Sequence, residues 1–188
     1  MMISYDIVSD KDIDDIAELF LKCFSKIIEK RFKTINKKAV KDIILLYKDA
    51  SRDGFIIAKE KGRIIGFICG VKSVFRIWMQ IFNINRFFKF YLFLIPPRVD
   101  LITPTSFFHV FNAHVSLLAV HPKHTKQGVG LGLVNSLMKH FKKAGVKRCY
   151  FQIPAKDSLV KAYQKYGSKI VKQRDYGFGK WVVMYRDV

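Results

Sequence analysis

The sequence His-Pro-Lys-His-Thr-Lys-Gln-Gly-Val-Gly-Leu-Gly occupies residues 121–132 and determines the predicted fold. An apolar stretch at residues 114–120 precedes it and is typical of a strand, and a helical pattern over residues 128–144 follows it. Glycines let backbone N–H groups converge on an anion, and a helix N-terminus adds unpaired N–H groups and a positive dipole end. The stretch therefore predicts a phosphate-binding turn between a strand and a helix.

Two common glycine-rich phosphate motifs do not fit this turn. A Walker A loop ends in Gly-Lys-Ser or Gly-Lys-Thr, whereas Gly132 is followed by Leu133 and Val134. A dinucleotide-binding fingerprint needs a glycine three residues after Gly130, and that position is Leu133. The sequence thus argues against both a P-loop NTPase and a Rossmann-type nucleotide site.

Hydrophobic periodicity predicts an α/β protein along the rest of the chain. Strands are expected at residues 3–8, 54–60, 63–71, 148–153, 168–172 and 181–186. Helices are expected from Ser9-Asp10 onward, at residues 37–49, and at residues 157–166 with Asp157 as its cap. The order β-α-α-β-β-insert-β-α-β-α-β-β predicts one domain over residues 1–188, with a mixed, mostly antiparallel sheet flanked by helices. A Tyr-Gly-Phe-Gly turn at 176–179 joins the last two strands.

The charge is strongly positive and unevenly distributed. The 188 residues carry a formal net charge of +19, and residues 61–156 contain 15 Lys and Arg side chains against a single carboxylate, Asp100. This basic protein attracts a polyanion: a phosphate-rich cofactor, nucleic acid or an anionic membrane surface. Three cysteines without a repeating spacing predict buried thiols, with neither a disulfide framework nor a metal site. The N-terminus lacks a secretory pattern, so a cytoplasmic location is expected.

Three segments in register resemble the GCN5-related N-acetyltransferase (GNAT) family. Gln127, Gly130 and Gly132 match the family's Gln/Arg-x-x-Gly-x-Gly/Ala motif, and Leu-Ala-Val-His-Pro at 118–122 is similar to the family strand that ends in Val-x-Pro. Ala-Tyr-Gln-Lys-Tyr-Gly at 162–167 is similar to the Ala-x-x-Leu-Tyr-Glu-Lys-x-Gly-Phe end of a late helix. The resemblance implies a GNAT-like fold and an N-acyltransferase that uses acetyl-CoA or another acyl-CoA as co-substrate.

The resemblance also implies where acyl-CoA binds. It would lie in a V-shaped opening between the strands near 116–120 and 149–153, with the pantetheine arm on backbone groups of Leu118, Ala119 and Val120. Amides of Gln127, Gly128, Val129, Gly130, Leu131 and Gly132 are expected to hold the pyrophosphate. Thr125 and Lys126 of the same turn can add a hydroxyl and a charge, and Lys156 is a further candidate for cofactor binding. Lys156 stands where the family frequently has Asn, and Ser168 replaces the usual Phe after Gly167.

Acyl transfer to an amine needs a neutral amine, a polarised carbonyl and a proton for the leaving thiolate. The resemblance places Tyr163 where the family often has its tyrosine acid, and it makes the N–H of Leu118 the carbonyl-polarising donor. His114 stands where family members often carry a glutamate base, and imidazole is a competent base near pH 7. The rival bases are His109, His121 and His124.

An aromatic-rich segment at residues 74–95 begins an insert of about residues 74–110 between the third and fourth strands. The segment is long enough to span a bilayer, but Arg76, Arg86 and Lys89 argue against a spanning helix. Three interpretations stay open: helices that wall the acceptor site, a homodimer surface, or a peripheral membrane segment. If the insert lies over the acceptor channel, that channel is apolar and basic. It would then favour a small amine or an anionic acceptor over a polycation.

The leading prediction is an acyltransferase that moves an acetyl or other short acyl group to a primary amine of a small molecule. Two alternatives are a basic RNA-associated protein that uses the same fold and a non-catalytic acyl-CoA sensor. No known RNA-binding signature occurs in the sequence, which makes a nucleic-acid partner the less favoured reading. The acceptor itself is not encoded in any motif.

Overall fold

A computed structural model of the chain describes residues 3–32, 36–73, 112–175 and 179–188. The predicted insert at 74–110, including His109, lies outside the described residues, as do residues 176–178 of the predicted last turn. Within the described ranges, no helix combines the length and the apolar composition needed to cross a bilayer.

The described elements follow the predicted order. The strands are β1 (Ile3–Ile7), β2 (Phe55–Glu60), β3 (Arg63–Val71), β4 (Ala113–Val120), β5 (Arg148–Pro154), β6 (Lys169–Asp175) and β7 (Lys180–Asp187). The helices are α1 (Ile13–Phe32), α2 (Lys37–Ser51), α3 (Val129–Lys143) and α4 (Asp157–Lys165). Short 3₁₀ turns precede α1 at Asp10–Asp12 and follow β4 at Pro122–His124.

The strands form one sheet in the order β1-β2-β3-β4-β5-β7-β6. All neighbouring pairs are antiparallel except β4 and β5, which are parallel. Parallel neighbours need a crossover connection, and α3 provides it. The predicted mixed, mostly antiparallel sheet with flanking helices is thus confirmed.

The two faces of the sheet have different helical covers. Helices α1 and α2 bury an apolar core against β2, β3 and β4, which includes Ile16, Ile44, Phe55 and Phe67. Helix α3 packs on the opposite face of the same strands, and α4 packs there on β5 and β7. The sheet therefore lies between two helical layers.

Two glycines of β3 let α3 approach the sheet closely. A Cβ at Gly70 would lie 2.7 Å from Leu137 Cδ2 and 2.7 Å from Phe141 Cζ, and one at Gly66 would lie 3.1 Å from Leu133 Cδ1. Leu133, Leu137 and Phe141 are fully buried, so they have no solvent-filled space into which to move. The lack of side chains at Gly66 and Gly70 thus sets how closely α3 packs on the sheet.

One helix start differs from the prediction. Lys156, not Asp157, is the N-cap residue of α4, and it has extended backbone angles without a side-chain capping bond. Asp157 is the first helical residue, where its carboxylate still favours the positive end of the helix dipole. The predicted helix ends hold, because Gly145 and Gly167 have the left-handed φ angles of 74° and 83° that such ends require.

Replacing Gly70 with valine should destabilise the protein by about 1–3 kcal/mol, because the new methyl groups overpack against Leu137 and Phe141. Urea denaturation followed by circular dichroism measures the change. Gly62→Asn is the control, since Gly62 has φ 76° with open space around its Cβ position and asparagine tolerates that conformation. A Gly70→Val variant as stable as the control would contradict the close approach of α3.

Candidate active site

The parallel strands β4 and β5 pair only at their beginning. Ala113 lies opposite Cys149 and His114 opposite Tyr150, and no further pairs follow, although β4 continues to Val120 and β5 to Pro154. Each strand stays bonded to its other neighbour over its remaining length. The two strands therefore form a fork that opens after these two pairs, and its closed end lies beside His114 and Tyr150.

A bulge in β4 lies at the closed end of the fork. Val115 pairs with Gly70 and Leu117 pairs with Cys69, so Ser116 is an extra residue without a register partner on β3. A bulge bends its strand and re-aims local side chains, which is consistent with β4 parting from β5 at this point. The Ser116 hydroxyl oxygen is buried there without a hydrogen-bond partner.

Backbone groups of β4 alternate between β3 and the fork. The N–H of His121 donates to the carbonyl of Ile65 at 2.8 Å, so the backbone of His121 faces β3. Alternation then directs the backbone groups of Leu118 and Val120 toward the fork and those of Ala119 toward β3. The backbone groups of Leu118 and Val120 thus face the fork, whereas those of Ala119 face β3, and the cofactor contacts predicted for all three residues stay predictions.

Helix α1 contacts the rim of the fork through a cysteine. The Cys23 thiol donates to the carbonyl oxygen of Val120 at 3.5 Å, and burial raises the pKa of this thiol. A thiol at this rim stays protonated near neutral pH and packs as a small apolar group. The sequence offered no signal for this contact, because Cys23 and Val120 lie far apart along the chain.

The turn after β4 is held by its own side chains. The Thr125 hydroxyl donates to the carbonyl of Pro122 at 2.9 Å, and the Gln127 side-chain amide donates to the carbonyl of Lys123 at 3.1 Å. Lys126 has a φ of 63°. Of the two side chains predicted to help bind an anion, Thr125 and Lys126, the Thr125 hydroxyl is therefore engaged within the turn, as is one amide hydrogen of Gln127. Backbone N–H groups and the Lys126 ammonium are the groups of the turn that suit an anion.

A second set of contacts ties this turn to the β2–β3 hairpin. His124 Nδ1 lies 3.4 Å from a carboxylate oxygen of Glu60, which is a buried residue at the end of β2. The His121 ring accepts from the N–H of Lys123 at 3.2 Å, and burial, together with nearby Lys22, His124 and Lys123, lowers the pKa of His121. Through these contacts, the imidazoles of His121 and His124 stabilise the turn and do not face the fork.

The three glycines of the turn have three different roles. Gly128 is the N-cap of α3 and has a φ of 81°, which favours glycine. Gly132 makes room for Tyr5 of β1, since a Cβ there would overlap the Tyr5 ring. A Cβ at Gly130 would make only an ordinary contact with Val120 at 3.6 Å. The protein's own packing therefore does not require glycine at 130, whereas a ligand close to the backbone would.

The first turn of α3 has N–H groups without acceptors in the helix. The first hydrogen bond of the helix runs from the N–H of Gly132 to the carbonyl of Gly128 at 2.9 Å. The N–H groups of Val129, Gly130 and Leu131 precede that bond and have no acceptor within the helix. The N–H of Gly132 is therefore used within the helix, and its predicted contact with the pyrophosphate stays a prediction, as do those of residues 128–131.

Tyr163 lies beside the closed end of the fork. Its ring packs on Phe151 of β5 with centroids 5.1 Å apart, in a cluster that also contains Val115 of β4. Burial raises the pKa of the Tyr163 phenol above its ordinary value of 10. The phenol is therefore protonated at neutral pH, as a proton donor must be.

His114 lies on the opposite face of the sheet from Tyr163. It pairs with Val71, whose side chain is part of the core under α1 and α2, and only 2% of His114 is exposed. Its parallel partner Tyr150 lies beside it on the same face. The structure thus brings the predicted acid and the predicted base to the same point of the sheet from opposite sides.

Lys156 stands at the open end of the fork. It follows β5 directly, is exposed, and donates its backbone N–H to the carbonyl of Pro154 at 2.7 Å. Lys123 and Lys126 follow β4 on the other side of the same opening. This end of the fork is therefore cationic and suits a polyphosphate. Among the residues that the structure describes, no cluster of His, Cys, Asp and Glu has metal-binding geometry.

This arrangement matches a known family. A family model described as the acetyltransferase (GNAT) family matches residues 13–167. The chain belongs to this family. The predicted resemblance and the predicted enzyme class, an acyltransferase dependent on acetyl-CoA, are confirmed by that membership.

Solved GNAT-like structures share the fold over the whole chain. PH1933 from Pyrococcus horikoshii OT3 superposes with a TM-score of 0.67 at 16% identity, covering 100% of this chain and 99% of that chain. A PaiA N-acetyltransferase from Thermoplasma acidophilum, in complex with coenzyme A, gives 0.63 at 16% with full coverage of both chains. A mosquito arylalkylamine N-acetyltransferase-like protein gives 0.67 at 13%, also with full coverage of both. No curated protein sequence gives a significant match.

Two alanine substitutions should separate ligand binding from packing in the glycine turn. Gly130→Ala should keep or raise stability, because alanine favours a helix by up to about 1 kcal/mol. It should also weaken acetyl-CoA binding about tenfold, because a methyl group at the anion site forces the loss of roughly one hydrogen bond. Isothermal titration with acetyl-CoA and thermal unfolding measure the two effects.

Gly132→Ala is the matched control and should show the reverse. It should lower the unfolding free energy by about 1–3 kcal/mol through overlap with Tyr5. The loss should shrink in combination with Tyr5→Ala, which removes the overlapping ring. Equal effects of Gly130→Ala and Gly132→Ala on stability would contradict the separate roles of these glycines.

Proposed function

We propose that this protein transfers an acetyl group from acetyl-CoA to a primary amine of a small molecule. One observation carries the proposal: the fork between β4 and β5 opens directly onto the unpaired N–H groups at the start of α3. A pantetheine arm is narrow and carries amides, which suits the free edge of β4, and a pyrophosphate suits the glycine turn. One feature of the chain supports the fit, namely that Gly130 leaves a backbone surface which the fold itself does not fill.

The residues around the fork have separate tasks in this reaction. Acetyl-CoA supplies the thioester. The N–H of Leu118, which points into the fork by strand alternation, would donate to the thioester carbonyl oxygen and stabilise the charge that develops there. The amine nitrogen adds to the thioester carbonyl carbon and forms the C–N bond, and the resulting tetrahedral intermediate then collapses with cleavage of the C–S bond. The Tyr163 hydroxyl, on the α4 face, would give its proton to the departing sulfur.

His114 is the proposed general base. An attacking amine must lose a proton, and the His114 ring lies on the face opposite Tyr163 at the closed end of the fork. The leaving sulfur and the attacking amine occupy different vertices of a tetrahedral intermediate, so acid and base are expected on different sides of the acyl carbon. Because His114 is buried, its proton would leave through the acceptor side rather than directly into bulk water.

Removing the Tyr163 hydroxyl should separate chemistry from binding. Tyr163→Phe should lower kcat by about 100-fold, the lower end of the usual contribution of a general acid. The KM for acetyl-CoA should change less than threefold, because the ring still packs on Phe151. Steady-state kinetics measures both values, and an unchanged kcat would remove Tyr163 from the mechanism.

The pH profile provides an independent check on Tyr163. An acid must be protonated, so its contribution is lost as the pH rises through its pKa. Burial raises the pKa of Tyr163 above 10, which places that loss above pH 10. Between pH 7 and 9, the wild-type protein and Tyr163→Phe should therefore have profiles of the same shape. A falling limb below pH 9 that disappears in the variant would contradict this assignment.

Thermal unfolding with added ligand tests the proposal as a whole. Acetyl-CoA and CoA should raise Tm in a concentration-dependent manner, because both bind only the folded state. A short RNA should not compete with this effect. Absence of stabilisation by any acyl-CoA would refute the proposed function, and stabilisation without turnover of any amine would indicate a non-catalytic acyl-CoA-binding protein.

A further inference from the structure

A groove lies between the edge strand β1 and the second half of α3, and it opens to solvent with a volume of about 200 Å³. Three strand spacings separate β1 from β4, the nearer strand of the fork, which corresponds to about 14 Å. Lys139, on the helical side of the groove, follows the first residue of α3, Val129, by about 15 Å along the helix axis. The groove therefore lies apart from both the fork and the start of α3.

One side of the groove is a stripe of polar side chains on α3. It consists of Ser136, Lys139, His140 and Lys143, whose spacing of three and four residues places them on one face of the helix. Lys139 and Lys143 are exposed, and neither forms an ion pair with any carboxylate that the structure describes. The two ammonium groups are therefore available to a ligand.

Two features of this stripe are unfavourable for the fold. Like charges four residues apart on a helix repel each other, as those of Lys139 and Lys143 do. The Nε2 atom of His140 is shielded from solvent without a hydrogen-bond partner in the described ranges, and a buried polar atom of this kind costs free energy. Since no hydrogen bond holds the imidazole, rotation about its broad χ2 torsion would turn Nε2 toward the groove. An anion bound there would offset both costs.

The strand side of the groove is apolar apart from one carboxylate. Ile7, Ile56 and the Tyr5 ring line it, and Ile7 is 54% exposed, which is unusual for a large apolar side chain. Asp6 is the single carboxylate of the lining, and it accepts a hydrogen bond from the Ser4 hydroxyl at 2.9 Å. The two lysines outnumber it, so the groove is cationic. An apolar surface beside cations suits a ligand that has both an apolar part and an anionic group.

We propose that this groove binds a small soluble molecule in which a phosphate group is attached to an apolar part, and that Ser136, Lys139 and Lys143 hold the phosphate. A phosphate monoester offers three terminal oxygens to two ammonium groups and a hydroxyl, whereas a carboxylate offers only two. The apolar part would cover Ile7 and the Tyr5 ring. A small concave groove fits such a molecule better than the flat surface of a membrane. This site goes beyond the proposed function, because neither acetyl-CoA in the fork nor its acceptor would occupy it.

Isothermal titration with phenyl phosphate tests the site, with phenol, inorganic phosphate and sulfate as comparisons at constant ionic strength. Phenyl phosphate should bind at least about tenfold more tightly than phenol, as expected for charge-assisted hydrogen bonds. It should bind about three- to tenfold more tightly than inorganic phosphate, because its ring covers apolar surface. Saturating acetyl-CoA should leave this affinity unchanged. Loss of binding with acetyl-CoA, or equal binding of phenyl phosphate and sulfate, would overturn the inference.

Three variants locate the ligand in the groove. Lys139→Gln and Lys143→Gln should each weaken phenyl phosphate binding about three- to tenfold, which allows for the exposure of both lysines. Ile7→Ser should remove most of the preference for phenyl phosphate over inorganic phosphate. Lys142→Gln is the matched control, because Lys142 is exposed in the same helical turn but does not line the groove. A loss of equal size in the control would show that only the net charge matters and would contradict the site.

Further outcomes separate this site from a membrane surface and from the proposed function. Cosedimentation with phosphatidylcholine vesicles that contain phosphatidic acid, if it requires Lys139 and Lys143 while phenyl phosphate does not bind, would assign these lysines to a membrane and overturn the inference. Both lysine variants should keep the wild-type Tm shift with acetyl-CoA. If acetyl-CoA raises Tm but phenyl phosphate does not bind, the function stands and the inference fails. If phenyl phosphate binds through these lysines but no acyl-CoA raises Tm, the inference stands and the function fails.

Discussion

The close approach of α3 to β3 is the contact on which the site depends. Gly66 and Gly70 present bare backbone to Leu133, Leu137 and Phe141, so the helix axis lies deeper than ordinary side chains would allow. A helix is rigid along its length, and fixing its body also fixes its N-terminus. The N–H groups at the start of α3 are thereby held at the open end of the fork, where the proposed function would place the pyrophosphate of acetyl-CoA.

The fork itself results from a mismatch between two strands. β4 remains bonded to β3 while β5 remains bonded to β7, and the extra residue Ser116 lets β4 bend away after only two pairs with β5. Such a gap would expose unsatisfied backbone groups in a sheet of purely structural use. In the proposed function, these same groups would form the recognition surface for the co-substrate. β4 and β5 would thus give up hydrogen bonds to each other where the co-substrate binds, while their bonds to β3 and β7 keep them in position.

The elements and the turn could be predicted from the sequence because their signals are local. Periodicity located the strands and helices, and three short motifs identified the family. The finer assignments depend on contacts between distant residues: Gly132 is explained by Tyr5 of β1, the position of Ala119 by the register with β3, and Cys23 by the end of β4. Neither pattern nor motif encodes a strand register. The bulge at Ser116 could be placed only once the sheet was assembled.

The positions of Tyr163 and His114 on opposite faces have a consequence for how protons flow. At this point the paired ends of β4 and β5 lie between the phenol and the imidazole, and the side chains packed on the α3 and α4 face are mostly apolar. In the proposed reaction, each of the two groups would therefore act from its own side of the sheet. The reacting atoms themselves would form the connection. The sheet would therefore keep the proposed acid and the proposed base apart until both substrates are bound between them.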